Sequence, residues 1–490
     1  MRIGSPLNAL CAMRVRRRAL RETDSGWIIA LCCALSACLS VGCSHTAEVD
    51  YLSADEIRQT IVGNSLREAH SGDWREDYLP FDEDRLAGII RGHQKPPDGF
   101  YGGTWVIDTD SMCLDYPALP DQGGCYRFAR GEGGEILWVD SDGAVAYESV
   151  SIERRKTDSG SAKWAPSEFR RETVRFPHGE NRVVGDLRLP EGSSPYPAVA
   201  FVHGSGPATR HSYYLESIGD EFLRRGFATL IWSKPGVDES TGDYLKQSMA
   251  DRAEEVAAAM AHLAEREDID GDRIGLWGIS QAGWVMPMVS THRSVAFVIS
   301  VSGSAQTGRE QDLYGFENEL IRIGFSGGDL SDALDHRREF YELVGRTENY
   351  EAFSAGYEVW LEDMKSRSWY PAMDSRLQEM VFQSFVMSIG AREYEFISRN
   401  NLNGSLIAPP EWKNLDMPVL ALYGSDDAIV DARLGSSAYR EIPRLNGNPD
   451  VTVVVFDGAD HGVMQPDPEG YLEFAPGFLA AMGEWAEKHR

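Results

Sequence analysis

Basic side chains are in short supply in this sequence: 48 Lys and Arg stand against 76 Asp and Glu, a formal net charge of −28 with histidine neutral. Nucleic acid is bound mainly through its phosphates, so this sign argues against a nucleic-acid partner. A solvated acidic surface that keeps the chain soluble is the plainer reading. Cysteine is sparse as well. Five of the seven lie in the first 43 positions, and only Cys113 and Cys125 stand in sequence that reads as folded. Neither has further Cys or His at ligand spacing, so no metal site is expected there. Long apolar runs are missing: the stretch from Trp27 to Leu35 falls well short of the roughly 20 residues a membrane span needs. Internal repeats and low-complexity tracts are missing too. What is present is the composition of a globular protein, 42 % hydrophobic and 25 % charged, in a chain of 490 residues. That is too long for one ordinary core, and two or more domains are expected.

Residues 1–43 read as a lipoprotein-type signal region. Arg14, Arg16, Arg17, Arg18 and Arg21 precede the apolar run, and small residues follow around Cys38, the order of a bacterial secretory signal. Leu35-Ser36-Ala37-Cys38 resembles a lipobox, which implies cleavage before Cys38 and lipidation of that residue; Cys43, after Ser40-Val41-Gly42, is the second candidate. Lipid chains there would hold the protein at a membrane surface while the folded part stays in water. Neither cysteine is followed by Asp, which by the same resemblance implies the outer membrane of a Gram-negative cell, with the protein in the periplasm. Residues 1–37 carry six Arg against Glu22 and Asp24, so losing their net +4 takes the remainder to −32. In an oxidising periplasm Cys113 and Cys125 are expected to form a disulfide. Closing so short a loop contributes about 3 kcal/mol on the chain-entropy model.

Residues 48–156 read as a small β-rich accessory domain. A helix is expected over Ser53–Leu66, with Ser53 and Glu56 spaced as a capping box. Short strands follow at Thr104–Ile107, Tyr126–Ala129, Ile136–Val139 and Ala144–Tyr147, with Gly-Gly and Asp142-Gly143 turns between them. Residues 157–172, polar and poor in apolar side chains, read as a linker. Beyond it apolar strands alternate with helices: Ala198–Val202, Phe227–Trp232, a helix from Ser248 to Arg266, Arg273–Trp277, Val295–Val301, Val419–Leu422, Thr452–Phe456 and a closing helix to Lys488. Such alternation predicts an α/β fold, a mostly parallel sheet flanked by helices, over residues 173–490. Residues 306–410 interrupt it with helical pattern and aromatics, which predicts a helical cap insertion.

The chemistry concentrates at strand ends. Gly278-Ile279-Ser280-Gln281-Ala282-Gly283 lies between a strand and an apolar helix, the setting of a nucleophile elbow, where small residues two positions either side of the serine let strand and helix pack closely. Ala282 stands where Gly is usual. Taken alone, such a string arises by chance about once in a chain with this much Gly, Ser and Ala. A serine hydroxyl needs a base, and Asp460-His461-Gly462 follows the last strand, making His461 the candidate. Gly424-Ser425-Asp426-Asp427 follows the strand before it; Asp427 is the expected orienting carboxylate and Asp426 the competing, solvated one. His203-Gly204-Ser205-Gly206-Pro207 follows an early strand, where backbone N–H groups of Ser205 and Gln281 would bind an oxyanion, with Gly206 as a possible substitute and His203 as a structural residue.

With these four matches in chain order, the segment from about Val174 to Arg490 resembles the α/β-hydrolase superfamily, and within it bacterial esterase-like members with a His-Gly-Ser-Gly-Pro loop. Lys234-Pro235-Gly236-Val237 and Ser240-Thr241-Gly242 are similar to that group's loop after the next strand. The resemblance implies a serine hydrolase acting on a small-molecule carboxylic ester through an acyl-enzyme, with the triad Ser280, Asp427 and His461, no metal and no organic cofactor. A peptidase, amidase or acyltransferase using the same triad, and a catalytically silent binding lipoprotein, are the alternatives.

Overall fold

A computed structural model describes residues 49–80, 86–94, 100–116, 123–152, 169–373 and 410–490. The signal region with Cys38 and Cys43, and residues 157–168 of the expected linker, lie outside the described residues. In the N-terminal part Ser53 caps α1 (Ala54–Thr60): its hydroxyl accepts from the Glu56 N–H, and the Glu56 carboxylate accepts from the Ser53 N–H at 3.0 Å. The helix is shorter than the expected Ser53–Leu66. Gly63 adopts φ 86°, which ends any continuation, and the chain enters β1 (Ser65–Glu68).

β1 is the first of eight strands that pair in sequence order, through β2 (Trp74–Pro80), β3 (Ala87–Gln94), β4 (Phe100–Asp108), β5 (Ser111–Asp115), β6 (Gly124–Arg130), β7 (Ile136–Val139) and β8 (Val145–Ile152). β8 returns to β1, with Ser65 opposite Ile152, so the sheet closes into a barrel with no free edge. Cys113 and Cys125 stand opposite each other on β5 and β6 and are bonded, S–S 2.02 Å. The interior is filled by side chains: Trp138 meets Trp74, Tyr126, Phe128 and Tyr147 at ring separations of 5.3–5.7 Å, and Ile57 and Ile61 of the α1 segment join that cluster.

The second part is an eight-stranded sheet of β9 (Phe169–His178), β10 (Asn181–Pro190), β11 (Tyr196–Val202), β12 (Ala228–Trp232), β13 (Ile269–Ile279), β14 (Val298–Val301), β15 (Val419–Gly424) and β16 (Val451–Phe456), in the spatial order β9-β10-β12-β11-β13-β14-β15-β16. Strands β11 to β16 run parallel, and β10 is antiparallel to both its neighbours. β9 begins at Phe169, four residues inside the expected linker. Its Arg170, Arg171 and Glu172 pair with Asp268 and Glu216 and with each other on an edge strand, so a charged stretch that reads as linker is ladder.

Both faces of this sheet are covered. Ala198, Ala200 and Val202 pack towards α3 (Met249–Ala264), α4 (Ala282–Val289) and α8 (Ala432–Asn446), while Val199 and Phe201 pack towards α2 (Tyr213–Arg224) and α9 (Phe478–Lys488). That two-sided burial is why these strands are apolar without alternation. Between β14 and β15 the helices α5 (Gly308–Arg322), α6 (Gly327–Arg346) and α7 (Tyr350–Ser366) pack around their own core of Phe316, Phe340, Phe353 and Trp360. Residues 374–409, the rest of the expected cap, lie outside the described residues.

Candidate active site

The parallel strands bring their C-terminal ends to one edge: Val202 pairs with Gly278, Ile279 with Val301, Val301 with Leu422, and Gly424 with Phe456. Loops leaving those ends converge there, the place where open α/β sheets bind ligands. Ser280 sits between β13 and α4 at φ 58°, a left-handed conformation that costs a non-glycine residue about 1–3 kcal/mol. The surroundings enforce it. The Ser280 N–H donates to Val301 O at 3.0 Å, and its carbonyl accepts from Gly283 N–H at 2.9 Å and Ser304 N–H at 3.0 Å. A Cβ on Gly278 would stand 2.6 Å from the Ala282 Cβ, so with Ala at 282 only glycine fits at 278. A Cβ on Gly283 would stand 2.6 Å from Ser304 N.

His461 follows β16 in a tight turn. Asp460 Oδ1 accepts from the N–H of Gly462 at 2.8 Å and of Met464 at 2.9 Å; Tyr214 donates its hydroxyl to Gly462 O at 2.9 Å; and Val463 is held at φ 54°. Burial raises the Asp460 carboxyl above its ordinary range despite those two N–H donors. The turn can lie against β15 because residue 424 is glycine: a Cβ there would overlap the carbonyls of Ala459 and Asp460. His461 Nδ1 lies 2.9 Å from Asp427 Oδ2. Asp427 is 1 % exposed, and its other oxygen accepts from Ile429 N–H at 2.8 Å and Val430 N–H at 2.9 Å. Asp426 is exposed and bonds to Ser425. The pairing with histidine therefore falls to Asp427.

The loop after β11 lies over the elbow: a Cβ on Gly204 would stand 3.3 Å from the Ser280 Cβ. Ser205, Gly206 and Pro207 are exposed, and Gly206 has φ 74°.

The sequence from 199 to 474 matches the model of the Alpha/beta hydrolase family. The chain belongs to that family. This hydrolase is 23 % identical over 348 residues to Esterase EstD of Thermotoga maritima, an alignment covering 68 % of this chain and 70 % of that protein. It is 28 % identical over 184 residues to the peroxisomal succinyl-coenzyme A thioesterase of Mus musculus, covering 36 % of this chain and 40 % of that one. Among solved structures, an esterase of Pyrococcus furiosus superposes with a TM-score of 0.39 at 16 % identity, over 66 % of this chain and 94 % of its own.

The hydrolase also holds groups at the site that the sequence motifs did not single out. Tyr314 on α5 donates its hydroxyl to Asp427 O at 3.0 Å, and Asn318 donates to Ala428 O at 3.1 Å, so the first cap helix is fastened to the loop of the acid. Behind the early loop lies a buried polar cluster. His203 donates its Nε2 proton to Trp232 O. Burial first, and then the charges of Lys234 and Arg252, hold its pKa down to about 3, so the ring is neutral and structural. Lys234 and Arg252 are themselves buried, and Glu255, which accepts from Trp232 Nε1 and Gln247 Nε2 at 2.6 Å each, is the carboxylate among them. Burial lowers Arg252 to about 10 and Lys234 well below the ordinary lysine range. Lys234 stands in the Lys234-Pro235-Gly236-Val237 loop and Arg252 on α3, and the backbone carbonyls they reach lie 28–49 positions away in the chain.

Proposed function

We propose that the protein is an exported serine hydrolase that cleaves carboxylic esters of small molecules through an acyl-enzyme. In this reading Ser280 Oγ attacks the ester carbonyl while His461 Nε2 takes its proton, Nδ1 being engaged with Asp427. The tetrahedral oxyanion is held by the N–H groups of Ser205 and Gln281. It collapses to an acyl-Ser280 ester as the leaving alkoxide takes the proton back from His461. Water, deprotonated by the same imidazole, attacks the acyl-enzyme; the acid leaves and Ser280 regains its proton. Asp427 keeps the imidazole in the required tautomer and stabilises the imidazolium.

The observation that carries the reading is the buried Asp427 carboxylate on His461 Nδ1 at the sheet edge where Ser280 is held at positive φ. A silent binding protein has no use for either feature. The kinship with a protein named as an esterase and another named as a thioesterase supports acyl transfer to water as the reaction class.

The test is turnover of p-nitrophenyl esters of increasing acyl length by the purified protein and by Ser280→Ala. Hydrolysis lost in the variant supports the reading, and the chain-length profile begins to define the acyl pocket. Wild-type protein that turns over no ester would sink it. Anchoring through Cys38 is part of the same proposal: mass spectrometry of the protein from its native host is expected to find an acylated Cys38 as the N-terminus, and an intact Met1 would contradict it.

A further inference from the structure

The buried cations behind the early loop make contacts whose geometry bears on the chemistry. Lys234 Nζ donates to Gly204 O at 2.6 Å and to Gly206 O at 2.8 Å. Arg252 donates to His203 O at 2.6 Å and, through its other nitrogen, to the side-chain oxygen of Gln281. Three carbonyls of one short loop are thus gripped by two cations, and one of those cations also grips the residue after Ser280. Lys234 is 2 % exposed and Arg252 5 %. Burying two cations for the sake of an exposed loop is costly unless the loop must hold a fixed shape.

We infer that Lys234, with Arg252, is the positioning residue of the oxyanion hole: by holding the Gly204 carbonyl it turns the Ser205 N–H towards the acyl oxygen. This rests on the esterase reading above. A trans peptide is planar, so the N–H of residue 205 points opposite to the carbonyl of residue 204. With Gly204 O directed at Lys234, the Ser205 N–H is directed away from the buried cluster. By the same rule Arg252 on His203 O sets the Gly204 N–H. Gly206 takes φ 74°, and Lys234 fastens the loop on both sides of Ser205. Accepting from a cation at its carbonyl also polarises the peptide and strengthens its N–H as a donor. Lys234 touches no reacting atom. Its effect is on how well the site fits an oxyanion and not on how it binds an uncharged ester.

The experiment compares wild type with Lys234→Met, which keeps volume and removes the donors, and with Lys234→Gln, which keeps an NH2 donor group without the charge. Three quantities are read: kcat and KM for a p-nitrophenyl ester, the inhibition constant of an alkyl boronic acid, whose serine adduct places an oxygen in the oxyanion hole, and the rate of labelling by a fluorophosphonate. Thermal unfolding is followed alongside. Removing one oxyanion donor outright typically lowers turnover about 10²–10³-fold. Lys234→Met is therefore expected to lose roughly 10–10²-fold in kcat with KM nearly unchanged. Boronate affinity and labelling rate should fall in parallel, and Lys234→Gln should lie between. A folded Lys234→Met with wild-type kcat, or a lower kcat with unchanged boronate affinity, overturns the inference. If Lys234→Met does not fold, Lys234→Gln decides by the same ratios. If wild type labels but hydrolyses no ester, the esterase reading fails while the labelling rates still decide the role of Lys234. If wild type neither labels nor turns over, both fail.

Discussion

The most exacting residue-scale feature is the choice between two adjacent aspartates. Asp427 is buried, accepts two backbone N–H groups and faces His461, whereas Asp426 is exposed and bonded to its neighbour. Asp427→Ala should lower kcat about 10⁴-fold, by analogy with loss of the orienting carboxylate in other triads, and Asp426→Ala should leave it within a few-fold of wild type. Steady-state ester kinetics on both variants decide; equal losses would mean that the carboxylates share the task. His203 gives a pH prediction at the same scale. Its folded pKa of about 3 lies below the ordinary value of 6.5, so the unfolded chain binds the proton more tightly. The stability this group contributes is fully present above pH 6.5 and is lost as pH falls from 6.5 towards 3, to a total on the order of 5 kcal/mol. Urea unfolding across that range should show the slope, and His203→Gln should flatten it.

Among the elements, α5 is the helix tied to the loop of the acid. Through Tyr314 and Asn318 it donates to the carbonyls of Asp427 and Ala428, so its placement and that of the acid are coupled. Tyr314→Phe removes one hydrogen bond, worth about 1 kcal/mol, and is expected to reduce kcat several-fold with a smaller change in KM. A change confined to KM would instead make Tyr314 a substrate contact. What was legible in the sequence follows the same division. Ser280, Asp427 and His461 could be named because each sits just past an apolar strand, and the fold makes strand ends converge in a fixed chain order. Lys234 could be quoted only as part of a family-like loop, without a role, and Arg252 not at all, since what each does is defined by carbonyls 28–49 positions away. The closed barrel was out of reach for a similar reason. Pairing of β1 with β8 joins residues 65 and 152, and β1 itself was hidden in a helical pattern that only Gly63 interrupts. The start of β9 was missed because its first residues, Arg170, Arg171 and Glu172, are charged, and its buried apolar face begins only at Val174 and Phe176.

At the scale of the whole molecule, the barrel is fastened to the hydrolase next to the catalytic turn. Arg75 of β2 reaches Glu473 at 2.8 Å and Asp467 at 3.4 Å and lies 4.9 Å from the centre of the Tyr471 ring, while Tyr471 donates its hydroxyl to Gly72 O at 2.6 Å. Those three partners belong to the hairpin of β17 (Met464–Pro466) and β18 (Leu472–Phe474) and its turn, which begins three residues after His461. Arg75 is buried, and removing it leaves Asp467 buried without that partner; Arg75→Ala should therefore destabilise the protein by about 3–5 kcal/mol, read by chemical denaturation. An unchanged midpoint would mean that the barrel is held by other contacts. The two parts were separable in the sequence through their different hydrophobic periods, but their docking is made of individual long-range contacts, among them Arg75 with Glu473 and His93 with Tyr213, that no period announces.

The claim on which all of this depends is that Ser280 is the acylated residue. It is tested most directly by treating wild-type protein with a fluorophosphonate, digesting it and locating the adduct by mass spectrometry. One adduct, on the peptide containing Ser280 and lost in His461→Ala, is the expected result. An adduct at another serine, or none on protein that still hydrolyses esters, would contradict the assignment of the nucleophile and with it the mechanism built on Asp427 and His461.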